Sequence, residues 1–159
     1  MQENDFFESF IRAGKQSLAM MKKVKLLDGK EGCFVSIYNP SKSPKTSILT
    51  FLVGDVLHPK SQRYHDYSLE KPKRSYEKGH ATSFESRDED LGQWGGGFYL
   101  TEKGFGVGVS GFTEEQDMVF AILVAFLSNS IDLDRALEIA KHPPGNGVLN
   151  MLNIVLSNP

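Results

Sequence analysis

Apolar positions recur at three- and four-residue steps through residues 3–24, where Phe6, Phe7, Phe10, Ile11, Leu18, Met21 and Val24 share one face, which predicts an amphipathic helix weakened only by Gly14. Two β-rich runs follow, at 32–38 and 46–53, separated by the turn-forming stretch Asn39-Pro40-Ser41-Lys42-Ser43-Pro44. Residues 54–67 are polar and read as irregular, whereas 68–79 reads as a helix in which Pro72 is tolerable only in the first turn. A charged loop spans 85–94, and an antiparallel hairpin is predicted from 98–101 and 105–109 around Glu102-Lys103-Gly104. Thr113 and Gln116 have capping-box spacing and start a helix at Glu114. Every residue from 118 to 127 is apolar, so that helix must be covered on both sides. Further helices are predicted at 132–141 and 147–156, and the apolar last one could cover the outer side of the 114–127 helix, within the subunit or across a dimer.

This order of helix, strand pair, helix, strand pair, helix predicts an α+β fold with helices layered on an antiparallel sheet. In the second hairpin Gly106 and Gly108 alternate with Val107 and Val109, which leaves one face of the strand bare. Close packing of a helix is favoured there over a ligand cleft. A length of 159 residues suits one domain with one core, 1–159, in which 130–159 forms a C-terminal helical extension. The acidic start Met1-Gln2-Glu3-Asn4-Asp5 does not read as a signal peptide, and the ten-residue apolar run is too short to span a bilayer. With a single cysteine, Cys33, this places the chain in the cytoplasm, with no membrane partner expected. A net charge of -2 gives no global drive toward nucleic acid.

The candidate chemistry is concentrated in one basic stretch. Between His58 and His80, Lys60, Arg63, Lys71, Lys73, Arg74 and Lys78 outnumber Asp66, Glu70 and Glu77 by three. Such a stretch is either a solvated face or the wall of a pocket for a carboxylate, a phosphate or haem propionates, with Arg74 able to bind in a bidentate manner. His80, at a helix end, is a candidate axial haem ligand, and Trp94 beside three glycines could stack on a planar ligand or plug the end of the sheet. The histidines lack metal-ligand spacing. Ser110 lies between Val109 and Gly111 but lacks the final glycine of a nucleophile elbow, and no Rossmann or P-loop pattern is present.

Gly106-Val107-Gly108-Val109-Ser110-Gly111 followed by Glu115-Gln116-Asp117 resembles the glycine-rich strand, the Val-Ser-Gly turn and the acidic helix start of the GlcG and HbpS-like proteins, which include the C-terminal domain of PduO-type proteins. Lys71, Gly79, Thr82 and Ser83 and the run Gly95-Gly96-Gly97 are similar to the same family, so the resemblance covers roughly residues 69–127. It departs at Pro72, where such proteins usually carry alanine, and has no counterpart for 130–159. The resemblance implies a profilin-like α/β/α arrangement around an antiparallel sheet of about five strands, homo-oligomers, and a non-catalytic small-ligand or haem-binding or sensory role. The pocket for that role would be built from the basic helix, the glycine loop and the Ser-Gly turn. Its candidate ligand-binding residues are Lys71, Arg74, Lys78, His80, Trp94, Gly96, Ser110 and Gly111. Two other readings stay open: a protein-interaction scaffold of roadblock or longin type, and a small-molecule enzyme such as a lyase or isomerase.

Overall fold

Four strands pair into one open sheet in the order β2-β1-β4-β3, with β1 Gly32–Tyr38, β2 Leu49–Gly54, β3 Gly97–Leu100 and β4 Phe105–Ser110. All three pairings are antiparallel. The helices are α1 Glu3–Lys23, α2 His58–Lys78, α3 Glu114–Leu127, α4 Leu133–Ala140 and α5 Gly147–Leu156. The structure is a computed structural model and describes residues 2–159. The mixed α+β class and the antiparallel sheet are as the hydrophobic pattern predicts. The expected fifth strand is not formed among the described residues. The chain leaving α2 meets β3 through a single bridge, Thr82 to Phe98, and turns at once into a 3-10 helix at Ser83–Ser86.

The larger correction concerns α2, which begins ten residues before the predicted helix. Pro59 lies in its first turn, where a missing N–H costs nothing, and the polar residues 58–67 form a largely exposed helical stretch. Pro72 therefore lies deep inside a 21-residue helix, where it cannot donate to the carbonyl of Ser68. The sheet supplies a substitute. A Cβ on Gly108 would sit 1.9 Å from the Ser68 carbonyl oxygen, so the Gly108 Cα–H points at the very oxygen that Pro72 frees. Gly79, left-handed at φ 68°, ends the helix as the His80 N–H donates to the Ser75 carbonyl at 2.8 Å.

Strand register explains why α2 lies so close. Thr50, Ser36, Gly108 and Gly97 stand opposite one another across the four strands and form one small, polar row on the face that α2 covers. A Cβ on Gly97 would meet Lys71 Cβ at 2.6 Å, and one on Gly106 would meet Pro72 Cβ at 2.9 Å. The Ser36 hydroxyl links the layers through 2.7 Å hydrogen bonds to Ser68 Oγ and Thr50 Oγ1. The bare glycine face thus receives a helix, as favoured from the sequence.

The opposite face carries Val35, Ile37, Val53, Val107 and Val109, all buried beneath α1 and α3. Gly14 is the point where α1 crosses β2; a Cβ there would lie 2.8 Å from the Phe51 ring and 2.9 Å from Val53. The residue that weakens the helix on propensity permits this approach. In α3 the eight residues from Met118 to Ala125 are fully buried, with α4 and α5 over the side turned from the sheet. The C-terminal segment covers α3 within the subunit. The Thr113 cap is formed as expected: Gln116 N–H donates to Thr113 Oγ1 at 3.3 Å and Thr113 N–H to Gln116 Oε1 at 3.1 Å. Thr113→Ala is expected to cost about 1 kcal/mol in urea unfolding, a loss that Thr113→Ser should largely avoid.

Candidate functional site

Beyond the end of β4 the space between α2 and the start of α3 opens into a cleft of about 400 Å³. From α2 come Arg63, Tyr64 and Tyr67, one to two helical turns before Lys71 on the same face. Trp94 arrives from the loop ahead of β3, and Ser110 and Phe112 from the turn between β4 and α3. Thr113, Glu114 and Asp117 complete the wall from α3 and its cap. Trp94 is held from outside. The Arg87 guanidinium lies 5.2 Å from its ring centroid and pairs through Nε with Glu114 at 2.7 Å, while Gly95 N–H donates to the same carboxylate at 2.7 Å.

Lys71 and Asp117 form the floor. Their side chains are 2% and 4% exposed, and Lys71 Nζ donates to Asp117 Oδ2 at 3.1 Å and to the Val109 carbonyl at 2.6 Å. Asp117 Oδ1 accepts from Phe112 N–H at 2.9 Å, which fixes the turn that carries Ser110 and Gly111. Burial pushes the Asp117 carboxyl above the usual carboxylate range, and Lys71 and the Phe112 N–H offset only part of that rise. An ammonium has three donors and two are used here, so one Lys71 N–H is left without a protein acceptor. Gly96 makes the pair fit: at φ 107° it packs where a Cβ would lie 2.6 Å from Asp117 Cβ and 3.0 Å from Lys71 Nζ.

Ser110 is the buried polar side chain of this wall that makes no hydrogen bond to the protein among the described residues. It is 3% exposed and follows Gly108 on the α2 face of β4. Unlike His80 Nδ1 and Thr82 Oγ1, which are sealed and unpartnered, the Ser110 hydroxyl reaches open space in the cleft.

Of the eight residues predicted to bind ligand, Lys71, Trp94 and Ser110 line this cleft, and Gly96 packs behind its floor. Gly111 lines a neighbouring cleft of about 320 Å³, together with Gly29, Lys30 and Leu57; Tyr64 borders both. Arg74 is 4% exposed and committed to the fold: it pairs with Glu70 and donates to Ser86 Oγ at 2.8 Å, to the Ser83 carbonyl at 3.0 Å and to the Trp94 carbonyl at 2.6 Å. Arg74 thus positions Trp94 and has no donor left for a ligand. Lys78 and His80 lie at the C-terminal end of α2 and outside the cleft wall. A haem seated between Lys71 and Ser110 would not meet His80 as its axial ligand, so that arrangement does not fit these residues. Cys33 is fully buried in the core; burial, followed by the Asp117 charge, pushes its thiol up.

Tyr64, Tyr67, Phe112, Thr113, Glu114 and Asp117 are wall residues that the sequence reading did not assign to a pocket, whereas Arg63 belongs to the basic stretch read as either a solvated face or a pocket wall. A signal for part of this set was present: Tyr64, Tyr67 and Lys71 stand at three- and four-residue steps behind Pro59, the spacing of one helical face. Among the described residues no three of His, Cys, Asp and Glu converge as a metal site, and no helix is long and apolar enough to cross a membrane. The chain matches no family model, no curated protein and no solved structure.

Proposed function

We propose that the protein is a non-catalytic binding module for a small molecule, seated in the cleft between α2 and the start of α3. The observation that carries this reading is the wall itself: Tyr64, Tyr67, Trp94 and Phe112 converge around a buried serine hydroxyl that makes no hydrogen bond to the protein. Binding is favoured over catalysis because Ser110 has no base in contact with it, and none of the four histidines lines the cleft. A profilin-like layering, with α2 on one face and α1 and α3 on the other, and kinship with the GlcG and HbpS-like proteins are the finer parts of this reading. They are supported by the glycine face of β4 and the Val-Ser-Gly turn.

Self-association belongs to the same proposal. Edge strand β2 carries no charge over Leu49–Gly54 and leaves Leu52 48% exposed, without the charged or proline residues that usually guard an edge. Two measurements read the two parts. Trp94 is the only tryptophan, so the intrinsic emission of the protein reports on the cleft. A library of aromatic and aliphatic fragments is expected to yield compounds that shift that emission, with the response lost in Tyr67→Ala, while light scattering reports a dimer or larger. Emission unmoved by every fragment would remove the binding module, and a strict monomer would remove the self-association.

A further inference from the structure

We infer that the ligand class of this cleft is a planar aromatic carboxylate, a conclusion that rests on the cleft being a small-molecule site. The wall divides into two chemistries. The aromatic rings of Tyr64, Tyr67, Trp94 and Phe112 surround a space suited to a flat ring system, where stacking and edge contacts favour a π face over a puckered aliphatic one. The floor offers donors without acceptors to satisfy them: the Ser110 hydroxyl has no partner, and Lys71 Nζ keeps one N–H beyond those given to Val109 and Asp117.

Charge selects the sign. Lys71 is balanced by Asp117, and Glu114 is balanced by Arg87. Arg63 is the remaining ion on the wall and has no ion-pair partner among the described residues, so the unpaired charge at the cleft is positive. The carboxylate of the ligand accepts from Ser110 Oγ and Lys71 Nζ, its ring lies among the aromatic side chains, and Arg63 at the mouth attracts it. An ionised acceptor makes the stronger hydrogen bond to both donors, which is why a carboxylate is preferred over its neutral amide.

Three probes separate these features: quinoline-2-carboxylate, quinoline-2-carboxamide and cyclohexanecarboxylate, each followed by calorimetry and by Trp94 emission. The first is expected to bind about tenfold more tightly than the carboxamide, the loss of one charge-assisted hydrogen bond being of that size, and also more tightly than cyclohexanecarboxylate, which keeps the carboxylate but offers no π face to the aromatic wall. Ser110→Ala is expected to weaken the first probe by about tenfold and to narrow its lead over the carboxamide. Because the Ser110 hydroxyl supports no fold contact, the unfolding midpoint of that variant should stay in place. Arg63→Gln, on an exposed helix face, is expected to flatten the salt dependence of carboxylate binding. A carboxamide that binds as well as the carboxylate, or a Ser110→Ala variant with unchanged affinity, would overturn the ligand class while leaving the binding module standing. The same holds if all three probes fail but other fragments shift Trp94 emission. If no compound of any kind does so, the binding module itself falls.

Discussion

Lys71→Met is expected to lose about 3–5 kcal/mol of folding stability at neutral pH, because it leaves the Asp117 carboxylate buried and uncompensated. Against the roughly 5–15 kcal/mol that holds a domain together, this is a severe change. The alternative cause, a packing defect left by the lost ammonium, is separated by a second substitution and by pH. Asp117→Asn in the Lys71→Met background removes the stranded charge, so the double variant should recover much of the loss, whereas a packing defect would persist. The sign of the pH dependence follows from Asp117. Burial already holds its carboxyl above the usual range, and Lys71 is the largest influence that lowers it. Removing Lys71 raises it further. The native state then binds that proton more tightly than the unfolded chain does, so stability falls as pH rises from the ordinary carboxylate range through the raised value. Urea unfolding should therefore show a larger deficit for Lys71→Met at pH 7.5 than at pH 5. An equal deficit at both, with no rescue by Asp117→Asn, would mean that the pair is not ionised in the folded protein.

Gly108→Ala adds one methyl group and is expected to cost about 3 kcal/mol or more, at the upper end of overpacking effects. The obstacle is backbone: the new Cβ would lie 1.9 Å from the Ser68 carbonyl oxygen and 2.5 Å from Pro72 Cδ, and neither can rotate away. Relief requires α2 to lift from the sheet. That motion would strain the 2.7 Å Ser36 to Ser68 hydrogen bond and displace Lys71 from Val109. Gly104→Ala provides the comparison. Its Cβ would meet nothing within 4 Å, so only the left-handed backbone at φ 72° is penalised, at about 1 kcal/mol. Similar losses for the two variants, measured by thermal and urea unfolding, would remove the close α2 contact from the explanation of this fold.

Periodicity made most of the elements legible. The hairpin of β3 and β4, the Thr113 cap and the continuous apolar run of α3 are each dictated by a few neighbouring residues, and the structure places them within one or two positions. The beginning of α2 was not legible in the same way. Its first ten residues bury almost nothing, so no apolar stripe marks them, and Pro72 suggested a helix start where the helix in fact passes through. What tolerates that proline is a glycine 36 positions later in the chain, a compensation that no local window contains. The candidate site was half legible for the same reason. Lys71, Trp94 and Ser110 stand out by charge, size or motif. Asp117 reads as an ordinary acid at a helix N-terminus until the sheet brings it to 3.1 Å from Lys71, and Arg74 reads as an anion clamp until Glu70, Ser83, Ser86 and Trp94 consume its donors.

The most direct measurement is a crystal structure of the protein soaked with quinoline-2-carboxylate. The expected result places the ring between Tyr67 and Trp94 and the carboxylate within hydrogen-bond reach of Ser110 Oγ and Lys71 Nζ. A ligand lodged instead beside His80, or in the neighbouring cleft around Leu57 with Ser110 still unpartnered, would contradict it.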